Sequence, residues 1–176
     1  MRLTPLAIPD VLLIDTDPAG DRRGWFARLY CAETFAAAGV DFAPSQISQS
    51  FNAAAGTLRG MHFQRSPHAE AKLVRCLRGR AFDVALDLRP DSPTCGQWCA
   101  VELDAKVRNA VLIPRGFAHG FMTLEDETEL LYITDYPWTK GAEGGVRWDD
   151  PAFAIAWPRT PAVLSDRDRG HPLSER

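Results

Sequence analysis

The stretch GTLRGMHFQ, residues 56–64, sets an arginine and a histidine among apolar residues in what reads as a strand. Because an imidazole titrates near neutral pH, His62 could serve as a general base. Strict alternation along a strand would point Arg59 and His62 to opposite faces. A glycine inside a strand often marks a bulge that redirects side chains, so Gly60 could bring both residues to one pocket. The stretch therefore predicts a strand that carries part of a functional site.

Three more polar residues lie on predicted strands and could reach the same pocket. Lys72 opens the strand AKLVRCLRG, which we expect to neighbour the first strand, His119 follows the turn in PRGFAHGF, and Tyr132 lies in ELLYIT. Singly, each has a structural explanation as a rim lysine, a hydrogen-bonded strand histidine or a core tyrosine. Arg59 alone would be a solvated edge residue. Together with His62, these residues favour a binding or catalytic site.

The histidines also raise the alternative of a metal centre. The run P-x-G-x-x-H that ends at His119 looks like the second half of the cupin metal motif. The first half would need a His-x-His pair with a following glutamate, but His62 is followed by FQ and His68 by AE. Since the sequence is one imidazole short, we expect no metal, and a metal-dependent enzyme stays as an alternative.

Short strands dominate the elements that must position these residues. In RAFDVALDLRP, apolar Phe82, Val84 and Leu86 alternate with a face that carries Asp83 and Asp87, which predicts a strand with one buried face. The stretches WCAVELD, NAVLIP, GFMTLE and ELLYITDY follow, separated by Gly, Pro and Asp. Because no crossover helices are visible, the strands predict an antiparallel all-β barrel or jelly roll, with an interior wide enough for a small ligand.

Helix signals are few and short, and AETFAAAG at 32–39 is the best of them, with Gly39 as its stop. The chain of 176 residues is long enough for one domain, which we expect to span residues 1–176.

Composition excludes several classes of function. The formal net charge is −3 and no block of like charges occurs, which argues against nucleic-acid binding. No apolar run approaches a membrane span or a signal peptide, so we expect a cytoplasmic protein without a membrane partner. Four scattered cysteines predict reduced structural thiols. An anionic ligand would have to be met by a local cluster of basic side chains.

The candidate residues stand in longer motifs that resemble a known family. GTLRGMHFQ, AKLVRCLRGRAFDVALDLRPDSPTCGQW, LIPRGFAHGF, LLY and GGVRWDDPAFAIAWP together resemble the dTDP-4-dehydrorhamnose 3,5-epimerase family, from DRRGWF to LSDRD. The resemblance implies a cupin-type jelly-roll barrel with a few short helices, and a homodimer. It also implies an epimerase that inverts C3 and C5 of a dTDP-linked 4-keto-6-deoxy sugar through an enolate, without metal or cofactor.

The resemblance assigns roles to the chemical residues. It implies that His62 is the general base, that Lys72 lies near the developing enolate oxygen, and that Tyr132 is the general acid on the opposite face. Asp168 in LSDRD matches the aspartate paired with the base. That match requires a shift of one residue, so Asp166 is a second candidate.

Five further positions match substrate-binding residues of the family. Arg59 and His119 match pocket residues, and Gln46 matches a glutamine at the nucleotide end of the site. Arg23 and Phe26 match an N-terminal segment that helps to bind the nucleotide across the dimer interface.

Three departures from the family pattern keep other activities open. Arg28 stands where a glutamate is common, Ser48 where an asparagine is frequent, and Trp138 where a second tyrosine is common. We expect Trp138 to line the far wall of the pocket, on which reprotonation depends. The alternatives are therefore an epimerase of C3 or C5 alone, or one acting on another nucleotide-linked 4-keto sugar. A non-catalytic sugar-nucleotide-binding protein is a further alternative, although it would not need His62, Lys72 and Tyr132 together.

Overall fold

Two six-stranded sheets form the core of this computed structural model, which describes residues 1–174. In chain order the strands and helices are β1 (Arg2–Pro5), β2 (Leu12–Asp15), β3 (Ala19–Asp21), β4 (Gly24–Phe26), α1 (Ala32–Ala37), β5 (Gln46–Asn52), β6 (Thr57–Gln64), β7 (Lys72–Arg78), β8 (Arg80–Asp87), β9 (Trp98–Asp104), β10 (Ala110–Ile113), β11 (Phe117–Thr123), β12 (Thr128–Thr134), β13 (Glu143–Gly145), β14 (Val163–Leu164) and α2 (Asp166–Arg169).

The strand order confirms the predicted antiparallel jelly roll. One sheet runs β1-β2-β10-β7-β12-β5, and the other runs β13-β6-β11-β8-β9 with β14 added beside β6. Among the described strands, β14 alone pairs in parallel. The sheets pack face to face over a buried apolar core to which both contribute, with Val74 and Leu130 from the first and Leu103 and Phe121 from the second. Burying each such side chain stabilises the fold by about 1.5–3 kcal/mol.

The strand β7 does not pair with β6, so the expectation that they are neighbours is wrong. The strand β7 lies between β10 and β12 in the first sheet, and β6 lies between β11 and β13 in the second. The chain crosses from one sheet to the other between them, so Lys72 and His62 meet across the barrel interior rather than along a pair of strands.

The prediction of one buried face for RAFDVALDLRP is also wrong, although the strand itself is confirmed as β8. Asp83 and Asp87 are fully buried, because their face looks into the barrel and its rim. Val84 and Leu86 are buried on the opposite face under the C-terminal segment around Phe153. The period-two pattern of β8 cannot predict that the segment around Phe153 buries its second face, because that segment is distant in sequence.

The predicted helix is confirmed. The helix α1 ends at Ala37, and Gly39 adopts φ +74° just after it, as expected of a stop. Gly79 turns the chain from β7 into β8, also at φ +74°. A Cβ there would lie 2.5 Å from Thr128 Oγ1, so the turn needs glycine.

No helix within residues 1–174 has the length and apolar character needed to cross a membrane. Cys31, Cys76 and Cys99 are free thiols, as predicted.

Candidate active site

A cavity of about 510 Å³ opens between the two sheets. Its lining draws side chains from β5, β7 and β12 of one sheet and from β6, β11 and β13 of the other. Seven of the residues predicted from the sequence line it, namely Gln46, Arg59, His62, Lys72, His119, Tyr132 and Trp138. Its volume lies within the range typical of sites for small organic ligands.

A bulge in β6 brings Arg59 and His62 to the same cavity, as the glycine predicted. His119 pairs with His62 and Phe121 pairs with Arg59, so two steps along β11 match three steps along β6. Gly60 lies in this bulge with φ +132°, a conformation that side-chain-bearing residues rarely adopt. A Cβ at this position would lie 2.5 Å from Gly120 Cα. The bulge therefore requires glycine and decides which way Arg59 points.

Asp168 forms a hydrogen bond with His62, and the distance from His62 Nε2 to Asp168 Oδ1 is 2.6 Å. The parallel pairing of β14 with β6 lays the C-terminal segment beside His62, and Ser165 caps α2 by accepting the backbone N–H of Asp168 at 3.1 Å. The carboxylate is 5% exposed, and its Oδ2 accepts the backbone N–H of Gly60 at 3.3 Å. Asp166, the other candidate from the sequence, is exposed instead. Of the two, Asp168 is therefore the partner of His62.

The environment of this pair keeps the carboxylate charged. Burial acts to raise the pKa of Asp168, but the hydrogen bond and charge of His62, together with the Gly60 N–H, outweigh burial and hold that pKa below its ordinary value. Because Nε2 of His62 engages the carboxylate, Nδ1 is the ring nitrogen left to exchange a proton with a ligand.

Lys72 is fixed at the cavity by two contacts. Its Nζ donates to the backbone carbonyl of His62 at 3.2 Å and pairs with Glu70 Oε1 at 3.0 Å. Both side chains of the ion pair are mostly buried, and Glu70 Oε2 has no hydrogen-bond partner within the described part of the chain. A cation held in this way can stabilise negative charge that develops beside it.

Tyr132 lies on the sheet opposite His62 and shares a hydrogen bond of 3.0 Å with Ser50 on the neighbouring strand β5. Burial raises the pKa of its phenol above the ordinary value. The hydroxyl therefore stays protonated at neutral pH and can donate a proton into the cavity.

His119 is engaged by a buried carboxylate. Its Nε2 lies 2.9 Å from Asp83 Oδ2, and both side chains are almost fully buried. The imidazole packs edge-on against Tyr132, with the ring centroids 6.3 Å apart. These contacts fit a residue that shapes the cavity floor.

Trp138 and Gln46 form one rim of the cavity. The backbone N–H of Trp138 donates to Gln46 Oε1 at 3.0 Å, and its indole N–H donates to Glu143 Oε1 at 2.8 Å. Gln46 Nε2 donates in turn to Ser48 Oγ at 3.2 Å. Two of the three positions that depart from the family pattern, Ser48 and Trp138, therefore meet at this rim, whereas Arg28 is exposed elsewhere.

Arg23 and Phe26 do not reach this cavity. Both belong to the exposed hairpin of β3 and β4, where Arg23 pairs with Asp21.

One group of side chains within residues 1–174 could hold a metal ion. It consists of His62, Asp168 and His171, whose ligand atoms all lie within 4.8 Å of one another. His119, which the sequence alternative invoked, does not belong to it.

Comparison with known proteins agrees with this geometry. The sequence model of the family described as dTDP-4-dehydrorhamnose 3,5-epimerase matches residues 5–175. The chain belongs to this family.

Relatives in the family match over most of their length. The dTDP-4-dehydrorhamnose 3,5-epimerase of Sinorhizobium fredii (strain NBRC 101917 / NGR234) is 42% identical, over 98% of this chain and 89% of the relative. The dTDP-4-dehydrorhamnose 3-epimerase of Streptomyces niveus is 40% identical, over 96% of this chain and 82% of the relative. The crystal structure of the 3,5-epimerase from Bacillus anthracis str. Ames with TDP and PPi bound superposes with a TM-score of 0.95 at 39% identity, covering 98% and 99% of the two chains.

Sequence reasoning missed three residues at the site of this family member. Glu70 precedes Lys72 by two positions, a spacing that could have suggested an ion pair. Asp83 was read as part of a polar face because its partner His119 lies on another strand. His171 follows Asp168 by three residues, and that spacing across a helix end was the available signal.

Proposed function

We propose that this protein is an epimerase of a dTDP-linked 4-keto-6-deoxy sugar that inverts C3 and C5 through an enolate, in the biosynthesis of a rhamnose-type deoxysugar. The observation that carries this proposal is a pair of proton-transfer groups on opposite sheets around one cavity. His62, bonded to Asp168 at 2.6 Å, belongs to the second sheet, and Tyr132 belongs to the first. Family membership supports the same class of substrate.

The chemistry follows from the carbonyl at C4, which acidifies the protons on C3 and C5. His62 Nδ1 takes one such proton, the C–H electron pair forms the C=C bond of the enolate, and the carbonyl π electrons move to O4. Tyr132 then gives its phenolic proton to the opposite face of the same carbon, which restores the C4 carbonyl with inverted configuration. Water returns a proton to Tyr132 and removes the one on His62. Each positioned acid or base contributes about 10²–10⁴-fold to the rate.

Lys72 stabilises the enolate at O4. Its ammonium group is held by Glu70 at 3.0 Å and by the His62 carbonyl at 3.2 Å, so it needs little reorganisation when the charge develops. Such a preorganised cation acts where charge appears in the transition state, in a site partly shielded from water.

Arg59 binds the diphosphate. Its Nε donates to Asn52 Oδ1 at 2.8 Å, which orients the guanidinium while other N–H groups remain for an anion. His119 and Tyr132 form the floor beneath the sugar, and Gln46 and Trp138 bind the nucleotide at the rim. Arg59 and Lys72 place positive charge at the cavity, where an anionic substrate would bind, although the net charge of the whole chain is −3.

A second copy of the chain completes the site in a homodimer. The hairpin of β3 and β4 stands away from its own cavity, with Phe26 76% exposed. Strand β5 is the edge of its sheet and leaves Ile47 64% exposed and Phe51 exposed beside it. Exposed apolar side chains on an unpaired edge favour an interface, and the hairpin would bring Arg23 to the partner's nucleotide.

The proposal keeps residues 1–176 as a single domain and the cytoplasm as the compartment, in which thiols such as Cys76 and Cys99 stay reduced.

Epimerisation at one carbon is the second candidate, and Trp138 favours it. Its indole lines the cavity where the resemblance implies a second tyrosine, so this side of the cavity is bulkier and keeps the Tyr132 hydroxyl without a second one. The relative from Streptomyces niveus is named as a 3-epimerase.

Proton NMR of dTDP-4-keto-6-deoxyglucose in D₂O with the purified chain tests the proposal. Loss of both the C3 and the C5 proton signals is the expected result. Loss of one signal alone would establish the single-carbon candidate. Retention of both signals would contradict epimerase activity on this sugar.

A further inference from the structure

His171 is a mostly buried imidazole that the proposed reaction does not use. It follows α2, and its side chain is 12% exposed. Its Nε2 is buried and has no hydrogen-bond partner within the described residues, although Asp168 Oδ1 lies 3.8 Å away. The ring stands edge-on to His62, with the centroids 5.6 Å apart. Nε2 of His171 therefore points toward the His62–Asp168 pair but forms no hydrogen bond with it.

Packing holds this ring in place. The ring of His171 lies on Gly145, where a Cβ would overlap it, and Gly145 is the strand partner of His62. The backbone N–H of Arg147 also donates to the carbonyl of Pro172 at 3.2 Å, which anchors the segment. The orientation of His171 is thus set by the strand that flanks His62.

We propose that His62, Asp168 and His171 form a binding site for Zn²⁺ or a similar borderline divalent cation, and that occupancy switches the enzyme off. Two imidazole nitrogens and one carboxylate oxygen are a donor set typical of zinc. Zn–N and Zn–O bonds of about 2.0–2.1 Å place tetrahedral ligands about 3.3 Å apart. The observed distances of 2.6 Å and 3.8 Å to Asp168 Oδ1 lie on either side of that value, and all three ligand atoms lie within 4.8 Å of one another. Shifts of at most about 1.5 Å would therefore bring them to zinc-binding distances.

Metal binding would disable the base by fixing its tautomer. The cation takes the lone pair of His62 Nε2, so the proton of the neutral ring must sit on Nδ1, the nitrogen that removes the substrate proton. Asp168 becomes a ligand at the same time and no longer orients the imidazole. This inhibitory step rests on the proposed function, whereas the metal site does not.

Zinc binding to the full-length chain, stripped with EDTA and dialysed, tests the site by isothermal titration calorimetry. Co²⁺ absorption in the visible range gives a second readout of ligand geometry. We expect one ion per chain. His171→Ala and His171→Phe should each weaken binding at least about 10-fold, since even the loss of an outer-shell partner costs 10–100-fold. The phenyl ring preserves packing on Gly145 without a ligand atom, which guards against a folding defect.

His68→Ala is the matched control, because His68 bonds Tyr136 at 3.2 Å outside the cluster. It should bind Zn²⁺ as the wild type does. Absence of binding to the wild type would overturn the site. Equal binding by the His171 variants would also overturn it, since the ion would then rest on other groups.

Epimerisation rates with and without Zn²⁺ test the switch, each variant being compared with its own metal-free rate. Wild type should lose activity on adding Zn²⁺ and recover it with EDTA, and the His171 variants should resist. A rate that requires Zn²⁺ would overturn the inhibitory role. His171-dependent binding in a chain that shows no epimerase activity would support the site and count against the proposed function instead.

Discussion

The hydrogen bond between His62 and Asp168 joins residues 106 positions apart, and the proposed chemistry depends on it. The imidazole needs its Nε2 proton held by the carboxylate so that Nδ1 is free to accept another. Lys72 and Tyr132, the proposed enolate stabiliser and acid, line the same cavity. In the proposed mechanism, each residue contributes one property. These properties are the tautomer of His62, the positive charge of Lys72 and the phenolic proton of Tyr132.

Asp168→Asn should lower kcat/KM by about 10²–10⁴-fold, because the amide neither favours the reactive tautomer of His62 nor stabilises its protonated form. Steady-state kinetics on the dTDP-linked sugar measures the change. Asp166→Asn is the matched control, since that carboxylate is exposed on the same short helix. Equal losses in the two variants would contradict the assignment.

Tyr132 should titrate above the ordinary tyrosine pKa of about 10, because burial disfavours its charged form. The acid must be protonated to react, so its contribution to the rate falls only as pH rises through this elevated pKa. Ultraviolet titration of tyrosinate in the wild type and in Tyr132→Phe gives the value by difference, with only three tyrosines in the chain. A Tyr132-dependent transition at or below pH 10 would contradict the account.

A bulge in strand β6 brings Arg59 to the same cavity as His62, the proposed base. The extra residue at Gly60 turns Arg59 toward the cavity that His62 already lines, and the parallel strand β14 leads the chain to Asp168 beside them. Elements that look minor in the sequence therefore decide the geometry of the site.

Gly60→Ala should destabilise the fold and impair catalysis together. The new Cβ would meet Gly120 Cα at 2.5 Å, and φ +132° is strained for alanine. Backbone strain costs about 1–3 kcal/mol, and overpacking costs about as much again. Urea unfolding measures the free-energy change.

Gly39→Ala provides the matched stability control, since Gly39 also has a positive φ, +74°, with nothing within 4 Å of an added Cβ, and lies outside the hairpin assigned to the dimer interface. Its loss should reflect backbone strain alone. If both variants lost the same stability, the close approach of β6 and β11 would not be the constraint that we describe.

On the scale of the whole molecule, exposed apolar side chains stand on the hairpin of β3 and β4, where Phe26 is 76% exposed, and on the edge strand β5, where Ile47 is 64% exposed. Both would be covered in the proposed homodimer. Arg23 and Phe26 would contribute to a site only in that dimer, because they stand away from their own cavity.

Light scattering coupled to size exclusion should give a mass twice the 19.5 kDa of one chain. Ile47→Glu should shift the equilibrium toward monomer, because it places a charge on the exposed edge strand. Lys106→Glu, a surface change away from this edge, serves as the control. A fully active monomer would contradict the shared site.

Local alternation and turn signals predicted the strands β6 to β12 and the helix α1, and the glycine within β6 indicated a bulge. The pairing of His62 with Asp168 and the positions of Gln46 and Trp138 came from the family resemblance instead. Local patterns failed where distant segments meet. The cover over β8, the crossing of β7 to the other sheet, the pairing of Asp83 with His119 and the approach of His171 to Asp168 all depend on tertiary contacts. No local pattern contains that information.

Deuterium exchange with stereochemical readout tests the central claim most directly, that His62 and Tyr132 act on opposite faces of the sugar. Wild type, His62→Asn, Tyr132→Phe and the control His68→Asn would be compared by proton NMR in D₂O. Tyr132→Phe should still exchange the substrate protons but with retained configuration, and His62→Asn should exchange neither, while the control behaves as wild type. Exchange at the wild-type rate in His62→Asn, or normal inversion by Tyr132→Phe, would contradict the account.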